Sequence, residues 1–515
     1  MNPRLRTTLG AIAASLVAAY LGWKIADGAY GLPALLAALT LGAVVLRLTR
    51  LPVDVVVLGL LLAGYVIGNR GFAQLMPYPG VPLLPAEIGL GLAVAWRGLR
   101  CAFERRLPFR RDPMNWAVCA WLVAGTARVA FDAPRFGLLA LRDYAVVYYA
   151  VFFFIAQDMG SDPRIQRYLR GCLLAASVVF LPLFFLTQFF PSFFLNTFTF
   201  RGNPVIFYKG DLAATFLAVG SLLLFHWAQA RPRQRWWAPA LSALMFLAVA
   251  AGDNRASLLA AGFACVVLIV AGRWRYPALQ GAVAAVAVMA IVLLAVVFNQ
   301  DWAQRKLEGI TDRMSSLVDF SGTGRYVSEE SNFKGDNNRF RSVWWRTVAR
   351  ETWETNPVFG LGFGTDIARN FVGEYFPEGS EEFTARSPHS VFMTAFGRMG
   401  FAGLAVWLVF CLVLAQETWR VVRHTEEPEN WALWCSAWVI LVSASFGVVL
   451  ESPMGAVLFW TLIGLGHAAA RPMEGESRKA EGERTENEMA SRRRVPEVGG
   501  ALRPDRIGDV DKVGA

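Results

Sequence analysis

The sequence predicts an all-α integral membrane protein with about 12 to 14 transmembrane helices and one large extracytoplasmic loop that itself contains helices. The composition is the first observation behind this prediction. Of the 515 residues, 55% are hydrophobic and only 17% are charged, and the mean hydropathy is +0.39. A water-soluble domain has a much more polar balance. The second observation is that apolar runs recur along the chain, most of them long enough to cross about 30 Å of hydrocarbon.

The apolar runs divide the chain into four regions. Residues 1–298 hold the first eleven predicted helices, residues 299–387 form the loop, and residues 388–470 hold the last three helices. Several runs are short enough to be re-entrant or interfacial, which is why the predicted number spans a range. The runs lie near residues 9–23, 31–46, 53–68, 83–96, 114–130, 137–157, 171–190, 212–229, 236–251, 256–271, 277–297, 388–415, 431–450 and 453–470.

The fourth region, residues 471–515, is rich in Glu, Arg, Lys and Gly and poor in apolar residues. Such a segment cannot bury enough apolar surface to fold alone. We therefore expect a disordered cytoplasmic tail.

Arginine placement predicts the orientation of the helices. Cytoplasmic connections carry an excess of Lys and Arg, and every second connection in this chain is basic. Both termini should then be cytoplasmic, and the loop 299–387 should lie outside. The net charge of +10 therefore reports topology, and no nucleic-acid partner is expected. The basic connections hold Arg4, Arg6, Arg47, Arg50, Arg97, Arg100, Arg105, Arg106, Arg110, Arg111, Arg164, Arg167, Arg170, Arg231, Arg233, Arg235, Arg273, Arg275, Arg420 and Arg423.

The middle of the loop predicts a helix over 339–355, ended by Asn356 and Pro357. It combines four arginines, Arg339, Arg341, Arg346 and Arg350, with three tryptophans. One interpretation is an amphipathic helix at the membrane surface. The other is an anion site, because the forked donors of Arg match phosphate oxygens. The glycine-rich segment 360–364 that follows lacks the Lys-Ser/Thr of a Walker loop, so a helix C-terminal turn is the favoured interpretation.

His389 stands where the loop returns to the membrane, after Ser387 and Pro388. Imidazole accepts a proton near neutral pH, so a histidine at this place is a candidate general base. A purely structural role is the alternative. None of the six cysteines lies in the loop, and no Cys or His spacing indicates a metal site, so neither a metal nor a cofactor is expected.

Further cations are predicted on the same side as His389. Arg255 opens an apolar helix after a tight turn at 252–254, where helix N–H groups add to anion binding. Arg201 and Lys209 lie in another outer connection, and Asp211 follows them as a helix cap. Within the membrane run 137–157, the neighbours Arg142 and Asp143 are expected to form an ion pair.

Taken in order, these segments resemble the O-antigen ligase and polymerase superfamily, bacterial membrane glycosyltransferases that use polyprenyl-diphosphate-linked glycans. Residues 253–260 are similar to the family's Ser-Arg-Gly-Ala turn, and residues 341–345 with 356–362 are similar to its loop Arg and Trp followed by Asn-Pro-Leu-x-Gly-x-Gly. Residues 388–404 resemble its His-Asn segment and glycine-spaced helix. Three positions depart from the pattern, with Asn254 for Ser, Ser390 for Asn, and Arg398 where an acidic residue is common.

The resemblance implies a site and a reaction. Arg255 and Arg341 would hold the donor diphosphate with Arg339 or Arg201 assisting, and His389 would deprotonate the acceptor hydroxyl without a metal. The partners would be a polyprenyl (undecaprenyl) diphosphate-linked oligosaccharide, a glycan or lipid-linked acceptor, membrane lipids, and a flippase and chain-length regulator of the same pathway. The location would be the bacterial inner membrane.

The sequence leaves several functions open. A ligase moves a finished glycan onto lipid A core, whereas a polymerase extends a chain on a new lipid-linked unit. We favour a polymerase or exopolysaccharide assembly, because the loop is not basic enough to indicate a strongly phosphorylated acceptor. From other classes, a multi-pass transporter of bicarbonate or another small solute, or a non-catalytic binder of lipid-linked sugar, would also fit the helix layout.

Overall fold

The structure is a computed structural model, and it describes most of the chain between residues 50 and 470. The described ranges are 17–24, 26–27, 50–75, 84–105, 107–231, 237–252, 254–298, 329–376, 383 and 385–470, with single residues at 15, 36, 40 and 47. Part of the first predicted span, most of the second, the loop residues 299–328 and the predicted tail 471–515 lie outside them.

Almost all of the regular structure in the described ranges is α-helical. One turn of π-helix, Phe193–Thr197, and a two-stranded antiparallel hairpin, β1 (Thr199–Phe200) and β2 (Asn203–Pro204), interrupt the helices. The α-helices are α1 (Val53–Gly68), α2 (Arg70–Ala73), α3 (Pro85–Glu104), α4 (Pro113–Phe136), α5 (Leu138–Asp143), α6 (Ala145–Tyr148), α7 (Val151–Gly160), α8 (Pro163–Phe189), α9 (Gly210–Ala230), α10 (Trp237–Ala251), α11 (Arg255–Val270), α12 (Arg275–Phe298), α13 (Glu329–Thr355), α14 (Arg369–Tyr375), α15 (Val391–His424), α16 (Pro428–Ala444) and α17 (Pro453–Ala470).

Six of the described helical segments are long and apolar enough to cross a membrane, which confirms the all-α integral membrane class. They are Pro113–Phe136, Leu138–Gly160, Pro163–Phe189, Gly210–Ala230, Val391–His424 and Pro453–Ala470. Three shorter apolar helices, α1, α10 and α11, accompany them. The expected total of 12 to 14 spans stays a prediction. Outward-facing side chains such as Phe131 and Val123, 81% and 67% exposed, suit contact with lipid tails.

Helix α15 has 34 residues, more than a membrane span requires, and consists of two helical segments that meet at a break at Gly400, where φ is +64°. The next two N–H groups, of Phe401 and Ala402, donate to the carbonyls of Pro357 and Val358 at 2.8 and 3.0 Å. A Cβ on Gly400 would lie 2.5 Å from the Pro357 oxygen. Only glycine permits both the positive φ and this approach, so the break fixes the segment after α13 to α15.

The described part of the loop has its own apolar core. Trp344 and Val348 of α13 pack with Ile367, Ala368 and Phe371, and the Trp344 ring stacks on Phe371 with centroids 4.7 Å apart. The helix predicted over 339–355 is present and extends further towards the N-terminus, since α13 begins at Glu329.

Several described helices begin or end together beside this loop, at what we call the loop end. Helices α9 and α11 both begin there, and Ser257 Oγ donates to the Asp211 carbonyl at 3.2 Å. The start of α15 and the turn 445–452 join them, because Thr394 Oγ1 donates to Glu451 at 2.9 Å. Helix α9 has 21 residues, so its other end lies about 30 Å away at what we call the opposite end.

Candidate functional site

His389 is held in an uncommon backbone conformation at the loop end. Its φ is +56°, which costs free energy for a residue with a Cβ and so has to be imposed by neighbouring contacts. Trp345 Nε1 donates to the Pro388 carbonyl at 2.6 Å, and the imidazole packs edge-on against Trp344 and Phe340, with centroids 5.6 and 5.8 Å apart. The ring orientation is therefore determined by α13.

The surroundings of His389 keep its imidazole neutral. Burial, followed by the positive charges of Lys209 and Arg341, lowers the pKa of His389 to about 4, while Asp211 and the Ser387 carbonyl act in the opposite direction. Its Nδ1 is buried and makes no hydrogen bond within 3.5 Å to any described residue. A neutral imidazole can accept a proton, so the ring has the protonation state that a general base requires.

Arg341 and Arg255 form a pair of cations next to His389. Arg255 Nη2 donates to Asn338 Oδ1 at 3.3 Å, and Asn338 lies one helical turn before Arg341 on α13. Burial and then repulsion from Arg255 lower the pKa of Arg341. The Nε of Arg341 is buried and forms no hydrogen bond with the residues that the structure describes. Two partly buried cations that repel each other favour an anion between them.

Lys209 is positioned beside this pair by Asn69, a buried residue between α1 and α2. Asn69 Oδ1 accepts from the backbone N–H of Lys209 at 3.2 Å, and Lys209 Nζ forms an ion pair with Asp211 at 2.9 Å. Sequence reasoning placed Lys209 and Asp211 at the outer face without linking them to His389. Lys209 acts on His389 through its charge, although the two residues are 180 positions apart in the sequence. A local sequence pattern cannot reveal an interaction of that kind.

Glu451 is a candidate site residue that sequence reasoning missed. Its Oε1 accepts hydrogen bonds from Ser387 Oγ at 3.0 Å and Thr394 Oγ1 at 2.9 Å, so it connects the turn before α17 to both sides of His389. Burial raises the pKa of Glu451, and Oε2 is buried without a hydrogen bond among the described residues. The sequence does contain one indication of this role, because Glu451 is a lone carboxylate directly before the last apolar run, 453–470.

A second group of charges lies close by but is differently organised. We call Asp132, Asp143, Arg386 and Arg398, with the glycine turn 360–364, the clamp. Asp143 forms ion pairs with Arg386 and Arg398, both at 2.8 Å, although its chain neighbour Arg142 was the expected partner. That expectation is wrong because the side chain of Arg142 is exposed, whereas the carboxylate of Asp143 contacts the two arginines of the loop and of α15.

The glycine turn is bound to the clamp through its backbone. The N–H groups of Phe363 and Gly364 donate to the carboxylates of Asp132 and Asp143 at 2.7 and 3.0 Å. Arg398 Nη1 donates to the Gly362 carbonyl at 3.1 Å. The turn follows α13 as predicted. Its N–H groups at Phe363 and Gly364 already donate to carboxylates, so these two donors are not free to bind a phosphate.

The other two predicted diphosphate ligands, Arg339 and Arg201, are both exposed. Arg339 is exposed, and two residues along a helix correspond to about 200° of rotation, so its side chain leaves α13 on a different face from Arg341. Arg201 is exposed at the hairpin tip, where its guanidinium lies 5.5 Å from the centre of the Phe200 ring. His389, Arg341 and Arg255 are the predicted site residues that the structure brings together.

The helices long enough to span a membrane define this protein as an all-α integral membrane protein, with a buried histidine and several cations at the loop end. Residues 240–408 match the family model described as O-antigen ligase. The match confirms the resemblance seen in the sequence, and this segment belongs to the O-antigen ligase and polymerase family. The family implies a glycosyltransferase-type enzyme that acts on lipid-linked oligosaccharides. A comparison with curated proteins finds no match.

The match includes Arg255, Arg341 and His389 but neither Lys209 nor Glu451. The structure also accounts for two departures from the family pattern. Asn254 caps α11 by accepting from the Ser257 N–H at 2.8 Å, as a serine would. Arg398 has its partners in the clamp, Asp143 and the Gly362 carbonyl.

Proposed function

We propose that this protein transfers a glycan from a polyprenyl-diphosphate donor to a sugar hydroxyl, with His389 as the general base and Arg255 and Arg341 as the diphosphate ligands. The observation that carries this proposal is the meeting of a neutral, buried imidazole with two mutually repelling arginines at the loop end. An acceptor hydroxyl that has to lose a proton and a donor with an anionic diphosphate leaving group are together complementary to that arrangement.

The reaction can be followed atom by atom. His389 takes the proton of the acceptor hydroxyl while that oxygen bonds to the anomeric carbon of the donor sugar. The bond between this carbon and the diphosphate oxygen breaks, and its electron pair leaves with polyprenyl diphosphate. Negative charge therefore grows on the leaving oxygen, where fixed cations in a partly dry site stabilise the transition state more than the ground state.

The proposal also includes the side of the membrane on which the site lies, the partner proteins and the kind of acceptor. The site would face the outer side of the inner membrane, so that a flippase supplies the lipid-linked donor. Arg339 and Arg201 would contact the donor from the edge of the site. We favour a polymerase, assisted by a chain-length regulator, over a ligase acting on lipid A core. In this proposal the arginines neutralise the negative charge that develops on the diphosphate, so the reaction does not require a metal.

The test is glycan transfer by the purified full-length protein in liposomes, with a synthetic undecaprenyl-diphosphate oligosaccharide and a chelator present. We expect wild type to give products, a ladder for a polymerase or a single adduct on lipid A core for a ligase. His389→Asn should reduce the rate by about 10²- to 10⁴-fold, because general-base catalysis contributes that much. Asparagine tolerates positive φ, so this variant keeps the backbone.

The arginine variants test the diphosphate site separately. Arg255→Gln and Arg341→Gln should each weaken donor binding by about 10- to 100-fold, the effect of one charge-assisted hydrogen bond. Arg339→Gln should have a smaller effect, since this side chain is exposed, and Arg346→Gln on the same helix serves as a control with unchanged transfer. Full activity in His389→Asn would reject His389 as the general base. No transfer with any donor, alongside uptake of a small solute, would reject the transferase in favour of a transporter.

A further inference from the structure

Glu451 lies beside His389, and the reaction described above gives it no role. Its Oε1 accepts hydrogen bonds from Ser387 Oγ at 3.0 Å and from Thr394 Oγ1 at 2.9 Å. Ser387 precedes His389 and Thr394 follows it, so the carboxyl group is held against the segment that carries the imidazole. Glu451 itself belongs to the turn before α17, which is far from this segment in the sequence.

Lys209 shows that the carboxyl group and the imidazole share one polar environment. Lys209 Nζ donates to the carbonyl of Val448 at 3.5 Å, in the same turn as Glu451. Burial raises the pKa of Glu451 and lowers the pKa of His389, and the charge of Lys209 lowers both. Both groups therefore lie near the same ammonium group.

The second oxygen of the carboxyl group has no partner among the described residues. Oε2 of Glu451 is buried and forms no hydrogen bond with them, although the residue as a whole is only partly buried. The carboxylates of the clamp differ, because Asp132 and Asp143 each bind a backbone N–H and at least one arginine. A buried oxygen without a hydrogen bond is unfavourable, so we expect a ligand to supply the missing partner.

The chemistry of this oxygen favours a sugar hydroxyl over the diphosphate. Diphosphate oxygens only accept hydrogen bonds, so an ionised Glu451 would repel them, and Arg255 and Arg341 are their matching donors in the proposed reaction. A hydroxyl both donates and accepts, so it is complementary to Oε2 whether the carboxyl group is ionised or protonated. The acceptor sugar brings such hydroxyls to the site.

We propose that Glu451 binds the acceptor sugar, through a hydrogen bond between Oε2 and the hydroxyl next to the one that His389 deprotonates. Neighbouring hydroxyls stand on adjacent ring carbons, so a sugar with one of them at the imidazole brings the other towards the carboxyl group. The acceptor class is then a sugar that carries two adjacent, unsubstituted hydroxyls. This inference rests on the proposed function, and it adds the residue that selects the acceptor.

The test measures transfer by the purified full-length protein in liposomes, with donor and acceptor varied separately. The donor is the synthetic undecaprenyl-diphosphate oligosaccharide with its terminal hydroxyls methylated, so that it can donate but not accept. The acceptor is the unmethylated compound or a monodeoxy analogue of its terminal sugar, with lipid A core tested in parallel. In wild type, removal of the hydroxyl next to the attacking one should raise the acceptor KM about tenfold, the effect of one lost hydrogen bond.

Three substitutions at Glu451 separate acceptor binding from a purely structural role. Glu451→Met is similar in volume but lacks a strong hydrogen-bonding group, so it should raise the acceptor KM about tenfold and remove the preference for the complete acceptor over the monodeoxy analogue. Glu451→Asp should show the same loss, because the shorter side chain withdraws Oε2. Glu451→Gln should keep the preference, since an amide also donates and accepts.

The donor KM should stay unchanged in all three variants. The control is Glu354→Gln, which removes an exposed carboxylate of α13 and should change neither KM. The preference for the complete acceptor is a ratio measured within one variant, so it does not depend on how much of that variant is folded.

Two results would overturn this inference alone. One is a preference for the complete acceptor that persists in both Glu451→Met and Glu451→Asp, or, with lipid A core, an acceptor KM that these variants leave unchanged. The other is a rise in the donor KM without a change in the acceptor KM, which would assign Glu451 to the diphosphate site. Absence of transfer in wild type with either acceptor would instead reject the proposed function, and this inference with it.

Discussion

The site around His389 and the clamp lie side by side at the loop end, but they use their charges in opposite ways. In the clamp, Asp143 satisfies two arginines and one backbone N–H. In the site, Arg341 Nε and His389 Nδ1 are both buried without a hydrogen bond among the described residues. Buried polar groups are nearly always satisfied in a structural network. We therefore interpret the clamp as a structural network, and the site around His389 as a place where a bound substrate supplies the missing hydrogen-bond partners.

The largest effect on stability is expected from breaking the clamp at Asp143. Asp143→Asn leaves the charges of Arg386 and Arg398 without their counter-ion, and removing one partner of a buried ion pair costs about 3–5 kcal/mol. Thermal unfolding in detergent measures this loss. The matched control is Arg142→Gln, the exposed neighbour, which should change the free energy of unfolding by less than about 0.5 kcal/mol. Similar losses in both variants would show that the clamp is not the stabilising unit.

A smaller loss is expected from the contact between the glycine turn and the break in α15. Gly360 has φ +74°, and a Cβ there would lie 2.5 Å from the backbone nitrogen of Gly400. Gly360→Ala should lower the free energy of unfolding by about 2 kcal/mol or more, because backbone atoms cannot move aside as side chains do.

The matched control for Gly360→Ala is Gly373→Ala in α14. A Cβ on Gly373 meets nothing within 4 Å, so this change should be neutral or stabilise by up to about 1 kcal/mol. Thermal unfolding of the two variants in the same detergent compares them directly. If Gly360→Ala were as stable as wild type, the turn would not be docked as described.

These comparisons also show how far the sequence alone could lead. Apolar runs predicted the membrane class, and the helix over 339–355 was predicted from its pattern, because both signals are local in the chain. His389 and Arg255 were found from residue type, position and family resemblance. Asp143 was predicted to pair with Arg142 because the two are neighbours in the sequence. Its actual partners are more than 240 residues away. Glu451 was missed for the same reason, since its role depends on Ser387 and Thr394.

The smallest predicted effect is a shift in pH dependence. It tests whether the positive charges of Lys209 and Arg341 act on His389. Activity should fall as the pH drops through the pKa of His389, because the protonated ring cannot accept the acceptor proton. In the free protein that pKa is about 4. Bound diphosphate offsets the charges of Lys209 and Arg341, so the pKa should rise towards the ordinary value of about 6.5.

The acidic limb of kcat should therefore lie about one to two pH units above that of kcat/KM, since kcat reports the donor-bound enzyme. Lys209→Gln should raise the limb of kcat/KM, because it removes a cation that lowers the pKa of His389 and leaves Asp211 unopposed. Arg70→Gln should leave both limbs in place, because Arg70 is an exposed cation that lies 5.5 Å from the centre of the Phe207 ring and does not act on His389. Coincident limbs in wild type would mean that the donor's charge does not reach His389. The base would then have to be sought in another group, and Glu451, which accepts hydrogen bonds from Ser387 and Thr394, is a candidate.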